Sequence, residues 1–229
     1  MKRIGIIGGI APESTIDYYR RLVAACRERA GDGSYPSILI NSIDLTKMLR
    51  LAADDRDALV VFLVHELERL AKAGAELGAF ASNTPHLVFD EVERASPLPL
   101  VSIVHAARDG AVARRMSRVA LLGTRFTMSG TFYPAVFAAA GVSVVTPSPE
   151  EQTYVHDTYM NELVAGRFDA PTRDRFVQII RGLNDRERID GIVLAGTELP
   201  LLLRDADVGL EMLDTTALHV SAIVERVFA

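Results

Sequence analysis

Four segments of the sequence combine glycine with hydroxyl, amide or carboxylate side chains, the groups that bind small polar molecules. Each segment follows a run of apolar residues that is typical of a buried strand. The segments contain Gly9, Ser14 and Thr15; Ser82, Asn83 and Thr84; Thr124 and Thr127; and Gly196, Thr197 and Glu198. Ligands of open α/β sheets bind at the carboxyl ends of the strands, so we expect these residues to hold a ligand.

The first segment, GIIGGIAPEST, predicts a tight turn from a strand into a helix. Its glycines fit neither the dinucleotide-binding fingerprint nor the P-loop pattern. The turn presents backbone N–H groups and the hydroxyls of Ser14 and Thr15 at a helix N-terminus, which favours an anion. Alternatively, one hydroxyl only caps the helix. The segment LLGTRFTMSGTFY repeats this strand-to-helix turn, with the hydroxyls of Thr124 and Thr127. Two such anion sites would suit a substrate with two carboxylates.

Three side chains near the other two strand ends could transfer protons. Ser82 and Glu198 each follow a predicted strand, and Glu198 could act as a base in a desolvated site. His86 lies one helical turn beyond Ser82, so it could activate the serine hydroxyl or act directly as an acid or base. The alternatives are helix capping for Ser82, stabilisation of a helix N-terminus by Glu198 in its first turn, and capping or packing for His86. The other histidines show no spacing typical of metal ligands, so no metal site is predicted.

Short β-branched runs alternate with amphipathic segments, and this alternation predicts the elements that position these residues. Strands are predicted at Arg3–Gly8, Ser37–Ser42, Leu77–Ser82, Leu98–Val104, Arg118–Gly123, Val142–Thr146, Gly191–Ala195 and Gly209–Leu213. Helices are predicted from Pro12, from Leu59 to Gly74, and across 83–94, 128–140, 150–166, 171–187 and 216–228. Several strands are continuously apolar, as expected when helices cover both faces of a parallel sheet.

The chain also resembles itself at an offset of about 115 residues, the signature of an internal repeat. This offset relates Gly8 to Gly123 and Tyr18 to Tyr133. The sequence therefore predicts two similar, doubly wound α/β domains facing each other across a cleft. We expect one domain to comprise residues 1–97 plus 210–229 and the other residues 98–209.

The composition excludes several classes of protein. Of the 229 residues, 49% are hydrophobic and 24% are charged, a globular profile. A net charge of -5 without a basic tract argues against nucleic-acid or membrane-surface partners. No apolar stretch approaches the roughly 20 residues that a transmembrane helix needs. The single cysteine, Cys26, excludes an intramolecular disulfide, so a cytoplasmic location is expected.

Five segments of the chain are similar to the aspartate/glutamate racemase family in order and spacing. They are GIIGGIAPESTIDYY, SNTPHLVFDEVE, ALLGTRFTMSGTFY, LAGTELPLLL and the closing DTTALHVSAIVE. The resemblance extends from Met1 to Ala229. It implies two α/β domains related by a pseudo-twofold axis, an active site between them and no cofactor, pyridoxal phosphate included. It also makes a homodimer a reasonable expectation.

The resemblance further implies a mechanism that depends on two cysteines. One thiolate removes the α-proton of an amino acid, and the thiol on the opposite face returns a proton. In this chain the family's Cys-Asn-Thr is Ser82-Asn83-Thr84, and its Gly-Cys-Thr-Glu is Ala195-Gly196-Thr197-Glu198. An unassisted serine hydroxyl is too weak an acid to supply an alkoxide, and Gly196 has no side chain. Two-thiol racemisation is therefore expected to be absent or severely impaired.

Three functions remain open at this point. The first, which we favour, is an enzyme that binds a small carboxylate-bearing amino acid or dicarboxylate and performs one-sided proton transfer, elimination or decarboxylation. In it, Ser82, Glu198 and His86 are the candidate catalytic residues, and Gly196 is expected to leave room for a larger substrate or an ordered water. The second is a non-catalytic or regulatory protein that binds a small acidic ligand. The third is a racemase with substitute bases.

Overall fold

The computed structural model describes the chain from Met1 to Ala229 and contains two four-stranded parallel sheets. The chain divides into two compact units, one formed by Met1–Ile103 with Thr216–Ala229 and the other by Val104–Thr215. The chain passes from the first unit to the second after Ile103 and returns after Thr215. The sequence predicted these two crossings after residues 97 and 209. None of the helices has the length and apolar character required to cross a lipid bilayer.

The first unit has the strand order β2-β1-β3-β4. Its strands are β1 (Ile4–Gly8), β2 (Ile38–Ser42), β3 (Leu77–Phe80) and β4 (Leu100–Val101). Its helices are α1 (Pro12–Ala30), α2 (Leu45–Asp54), α3 (Arg56–Lys72), α4 (Phe89–Ala95) and the C-terminal α12 (Thr215–Phe228), with a 3₁₀ turn at Thr84–Val88. A further helix, α5 (Ile103–Ala113), begins at the last residue of this unit and continues into the second.

The second unit has the order β6-β5-β7-β8, which is the same arrangement one repeat later. Its strands are β5 (Arg118–Gly123), β6 (Ser143–Val145), β7 (Gly191–Ala195) and β8 (Glu211–Asp214). Its further helices are α6 (Arg125–Ser129), α7 (Phe132–Ala138), α8 (Pro149–Thr158), α9 (Ala170–Glu187), α10 (Leu199–Leu202) and α11 (Asp205–Val208), and one π-helical turn at Tyr159–Leu163 continues α8. The predicted α/β class and the two similar halves are confirmed.

The central strands of both sheets are buried, apart from Arg118 at the start of β5, because helices cover them on both sides. In the first unit, Ile4, Ile6, Tyr18 and Leu22 pack with the apolar face of α12. Cys26 belongs to the same cluster and is fully buried, as its place on the apolar stripe of α1 predicts. Tyr18 and Tyr133, the pair related by the internal offset, are both fully buried.

Several predicted elements have different limits in the structure. The predicted strand Leu98–Val104 pairs only at Leu100–Val101, because the chain enters α5 at Ile103. The predicted helix across 128–140 is broken at Gly130, whose backbone is extended between α6 and α7. The helix α2 was not predicted, although Asp44 caps it by accepting a hydrogen bond from the backbone N–H of Lys47.

Candidate functional site

The strand register brings the predicted polar segments together in pairs within each unit. In the first sheet, Ile7 pairs with Phe80, so the segments after β1 and β3 begin at the same edge. In the second sheet, Gly123 pairs with Ala195, so the segments after β5 and β7 do the same. The two carboxyl-terminal edges therefore carry the groups that the sequence singled out, which is the usual ligand-binding position of a parallel sheet.

The turn after β1 is held by the two hydroxyls that the sequence predicted. Thr15 Oγ1 accepts a hydrogen bond from the Gly9 backbone N–H at 2.9 Å, and Ser14 Oγ donates to the Ala81 carbonyl at 2.8 Å. Neither hydroxyl caps α1. Gly9 has φ of +80°, and a Cβ there would lie 2.5 Å from the Ile43 carbonyl oxygen. Both hydroxyls thus join the turn to its neighbours, and their predicted contacts to a ligand remain predictions.

The segment after β3 places Ser82 half-buried at the sheet edge and buries Asn83, Thr84 and His86 behind it. The His86 ring stacks on Phe89 with centroids 4.8 Å apart. Its Nε2 accepts a hydrogen bond from the Ile103 backbone N–H at 3.2 Å. Because that lone pair is already used, the contacts support the packing alternative for His86.

The segment after β5 repeats part of the first turn. Thr127 is fully buried in α6, and its Oγ1 lies 3.2 Å from Thr124 Oγ1. A Cβ on Gly123 would lie 2.7 Å from the Ala195 carbonyl and 3.2 Å from the Thr127 Cβ. Gly8 has the same relation to Thr15, with a Cβ 2.5 Å from the Thr15 Cγ2. In both units a glycine therefore lets a helix hydroxyl approach the strand end.

The space in front of Gly196 is filled, which corrects the expectation that this glycine leaves room for a larger substrate or a water. A Cβ built on Gly196 would lie 2.5 Å from Cε2 of Tyr159, 3.0 Å from its Cζ and 3.1 Å from its phenol oxygen. Tyr159 is buried at the start of the π-helical turn that follows α8. The aromatic ring thus occupies the volume into which any side chain at position 196 would project.

Tyr159 belongs to a buried hydrogen-bond network with the two residues that follow Gly196. The phenol donates a hydrogen bond to Glu198 Oε2. The Thr197 hydroxyl donates to the same oxygen at 2.7 Å. The other carboxylate oxygen of Glu198, Oε1, is buried and has no hydrogen-bond partner in the protein. One acceptor at this strand end is therefore still available to a donor.

The surroundings keep the Tyr159 phenol neutral. Burial raises its pKa well above the ordinary value of 10.0, and the charge of Glu198 raises it further. The Thr197 side chain and the Glu198 backbone hydrogen bond act in the opposite direction but do not reverse the shift. Since a neutral phenol carries a proton and has little affinity for a second one, Tyr159 can donate a proton but is not a resting base.

Sequence reasoning missed Tyr159 because nothing local marks it. The segment EQTYVHDTYMNEL contains no motif, and position 159 falls inside a predicted ordinary helix. The observed helix changes to π-helical geometry at Tyr159, where the Val164 backbone N–H bonds to the Tyr159 carbonyl at 3.0 Å. Such π-helical turns are frequent at functional sites. The contact between Tyr159 and Gly196 depends on the tertiary structure, because the two residues lie far apart in the sequence.

The chain offers no pair of thiols. Cys26 is its single cysteine and lies fully buried on α1, where burial raises the pKa of the thiol. A two-cysteine reaction therefore cannot take place within this chain. No group of three or more His, Cys, Asp or Glu residues is arranged to hold a metal ion.

The two four-stranded parallel sheets, with polar residues after their strands, place the chain among α/β proteins built from two similar units. Comparison with known proteins specifies the family. The Asp/Glu/Hydantoin racemase family pattern matches residues 7–223, so the chain belongs to that family. The structure of an Asp/Glu racemase candidate from Yersinia pestis is similar with a TM-score of 0.91 and 32% identity, covering 100% of both chains. An aspartate racemase homologue from Pyrococcus horikoshii OT3 is similar with a TM-score of 0.87 and 36% identity, again covering 100% of both.

A curated relative is more distant in sequence but equally complete in coverage. The broad specificity amino-acid racemase RacX of Bacillus subtilis (strain 168) is 23% identical over 232 residues. The match covers 99% of this chain and 98% of RacX. Family membership, inferred above from five short segments, is therefore confirmed over nearly the whole length.

Proposed function

We propose that this protein binds a small carboxylate-bearing amino acid or dicarboxylate and converts it through a carbanion without a pair of thiols. The proposal is carried by one observation: the neutral phenol of Tyr159 fills the space in front of Gly196, next to Thr197 and Glu198. The family resemblance assigns this position to a catalytic cysteine. A proton-carrying group thus lies where the family's mechanism requires one, although it is not a thiol.

The buried polar residues support a retained ligand. Asn83, Thr84 and Glu198 are each at least nine-tenths buried at strand ends. Burying such groups is costly unless they are hydrogen-bonded. The unpartnered Glu198 Oε1 costs about 1–3 kcal/mol or more, since the carboxyl group is ionisable. An ammonium or hydroxyl group of a bound molecule would supply the missing donor.

The available proton carriers argue against ordinary racemisation. Racemisation by proton transfer needs a base on one face of the α-carbon and an acid on the other. Cys26 lies in the core, the Ser82 hydroxyl is a poor base, and Tyr159 is neutral. We therefore propose one-sided proton transfer, elimination or decarboxylation. Ser82 and Glu198 are the remaining candidate catalytic residues from the sequence. The proposed binding residues are Gly9, Ser14, Thr15, Asn83, Thr84, Thr124, Thr127 and Thr197.

A non-catalytic binding protein is the alternative, and the serine and glycine at the two positions that the family resemblance assigns to cysteines favour it. Without a thiolate, and with a phenol that does not act as a base, the site could recognise a small acidic ligand without reacting with it. A regulatory role would follow in that case. The cytoplasmic location, the homodimer and the cleft between the two halves remain proposals, and light scattering after size-exclusion chromatography tests the dimer.

Proton NMR in deuterated buffer distinguishes the two functions. The panel contains both enantiomers of aspartate and glutamate, simple dicarboxylates and substituted malonates. Deuterium entering at the α-carbon, by exchange or after loss of CO₂, shows carbanion chemistry. Saturable shift changes without any deuterium incorporation show a binding protein. A panel in which no compound reacts and none binds contradicts both functions.

A further inference from the structure

We propose that two copies of this chain associate through one face of the first unit, formed by the edge strand β2 and one flank of α1. The partner is a second copy of the chain, related to the first by a two-fold axis. The homodimer expected from the family resemblance thereby receives a defined contact surface. Its formation does not depend on the chemistry proposed above.

One flank of α1 carries an apolar stripe at its surface. Ile16, Tyr19 and Val23 are spaced three and four residues apart, so they lie on the same side of the helix. Ile16 and Tyr19 expose 49% and 45% of their area, and Val23 is half-buried. The helix α12 does not cover this stripe, because it forms a groove with the opposite flank of α1, at Ala25 and Glu28.

The strand β2 extends the same surface. Arg27, one turn beyond Val23, has its guanidinium 4.8 Å from the ring centroid of Tyr35, which precedes β2. In β2, Ile38 packs with the core under α1, and Ile40 lies on the same side of the sheet because strand side chains alternate. Ile40 is 42% exposed. We call this surface the α1/β2 face, and its members are Ile16, Tyr19, Val23, Tyr35 and Ile40.

The second unit shows that the fold does not require the apolar stripe. At the internal offset of 115 residues, Tyr18 and Leu22 correspond to Tyr133 and Phe137, and all four side chains are fully buried. At the same offset the three stripe residues correspond to Thr131, Pro134 and Ala138. The core positions thus hold large apolar side chains in both units, whereas the stripe does so only in the first. A large apolar surface that the fold does not need marks an interaction site.

The backbone of β2 is open to a further strand. It lies at the edge of its sheet and pairs only with β1, and none of its five residues, Ile38–Ser42, is charged. Proteins protect sheet edges from pairing with short strands and with charged side chains. The other edge strands have this protection: β4 has two residues, β6 has three, and β8 contains Glu211 and Asp214. The unprotected β2 can therefore bond to a strand of another chain.

The charge distribution identifies that chain as a second copy. In a two-fold interface each residue near the axis meets its own copy, so any charge there meets a like charge. The five members of the α1/β2 face are all uncharged, which is what self-pairing requires. Two copies of β2 related by a two-fold axis run antiparallel. Pairing about the middle of the strand places Ile40 opposite the Ile40 of the second copy, and the two sheets become continuous.

The test measures self-association by sedimentation velocity over a concentration series, for the wild type, Ile40→Lys and the control Val61→Lys. Val61 is an apolar residue of α3 that is 70% exposed and lies outside the α1/β2 face. We expect the wild type and the control to dimerise alike. We expect Ile40→Lys to raise the dissociation constant roughly 100-fold, because the interface then contains two facing lysines. Tyr19→Lys should act in the same direction, and melting curves check that each variant folds.

A cysteine at position 40 tests the pairing of the two strands. Directly opposed residues of an antiparallel pair have Cβ atoms about 4.5–5.5 Å apart, which is close to the reach of a disulfide. Under mild oxidation, Ile40→Cys should therefore give a covalent dimer on a non-reducing gel, and Val61→Cys should not. Cys26 is fully buried and contributes no background.

Every other outcome contradicts a stated part of the proposal. A wild-type protein that is monomeric at all concentrations would refute the dimer and leave the α1/β2 face to a different partner. A dimer that survives both Ile40→Lys and Tyr19→Lys would have its contact elsewhere, and dissociation by Val61→Lys as well would show that the effect is not specific to this face. A dimer that Ile40→Lys disrupts but Ile40→Cys does not cross-link would refute the pairing about Ile40. These measurements contain no ligand, so each result is separate from the deuterium test of the proposed function.

Discussion

The ring of Tyr159 lies within 2.5 Å of the position that a Cβ on Gly196 would occupy, so residues 159 and 196 share one volume. The phenol is at the same time hydrogen-bonded to Glu198, two residues beyond the glycine. This relationship accounts for a glycine at a position where the family resemblance implies a cysteine, because only a residue without a side chain leaves space for the ring.

Substitution of Gly196 should therefore destabilise the protein. We expect Gly196→Ala to lower the free energy of unfolding by about 1–3 kcal/mol, the usual cost of overpacking a rigid core. Combined with Tyr159→Ala, which removes the ring, the alanine at position 196 should cost much less. Urea denaturation of the two single variants and the double variant measures this coupling. Strictly additive losses would show that the two residues do not share a volume.

The matched control is Gly182→Ala in α9. A Cβ there would contact only the flexible end of Arg186, at 3.3 Å. Replacing a helical glycine with alanine then stabilises by up to about 1 kcal/mol. The opposite signs at positions 196 and 182 would separate overpacking from a general effect of adding a methyl group.

Restoring both thiols should restore racemisation only after the ring is removed. We expect the triple variant Ser82→Cys, Gly196→Cys, Tyr159→Ala to interconvert the enantiomers of aspartate or glutamate, measured by circular dichroism or chiral chromatography. The double cysteine variant with Tyr159 intact should be much less active, because the ring occupies the place of the second thiol. Equal activity of the double and triple variants would contradict the proposed role of Tyr159.

Removing the charge of Glu198 or the hydroxyl of Ser82 should lower any turnover. Glu198→Gln removes the negative charge that accepts from Tyr159 and Thr197, and it leaves a buried NH₂ group without a partner at the place of Oε1. Ser82→Ala removes the half-buried hydroxyl at the end of β3. Initial rates on the compound that reacts best, together with melting curves, measure both effects. Unchanged rates in both variants would exclude these side chains from the mechanism.

The stability of the first unit should fall between neutral and mildly acidic pH because of His219. Its ring is fully buried, with Nδ1 2.8 Å from the Tyr18 hydroxyl and Nε2 2.8 Å from the Val101 carbonyl. Burial lowers the pKa of His219 from 6.5 to about 4. Below pH 6.5 the unfolded chain therefore binds a proton that the folded protein excludes, and stability is lost as the pH falls towards 4.

The measurement is urea unfolding of wild type and His219→Gln at pH 7 and pH 4.5. We expect the loss on acidification to be about 2 kcal/mol smaller in the variant, because glutamine does not titrate in this range. His65→Gln, on the exposed face of α3, serves as the control and should show the pH dependence of wild type. The same loss in all three proteins would exclude His219 as the cause.

Local patterns in the sequence determined the architecture. Apolar runs such as Gly191–Ala195 predicted buried parallel strands, since helices on both faces leave no polar side to a strand. The repeated spacing of Gly8 and Gly123 predicted two similar units, and the equal strand orders confirm them. The absence of a second cysteine, and with it of a two-thiol reaction within the chain, was also evident from the sequence alone.

Only the tertiary structure decided what surrounds the polar strand ends. It placed His86 against Phe89 and used its Nε2 for the Ile103 backbone, whereas helical spacing had suggested a partner for Ser82. It also brought Tyr159 into the space in front of Gly196. The physical reason is the range of the interactions: strand and helix patterns repeat every two to four residues, whereas the packing of a ring against a glycine depends on how whole elements meet.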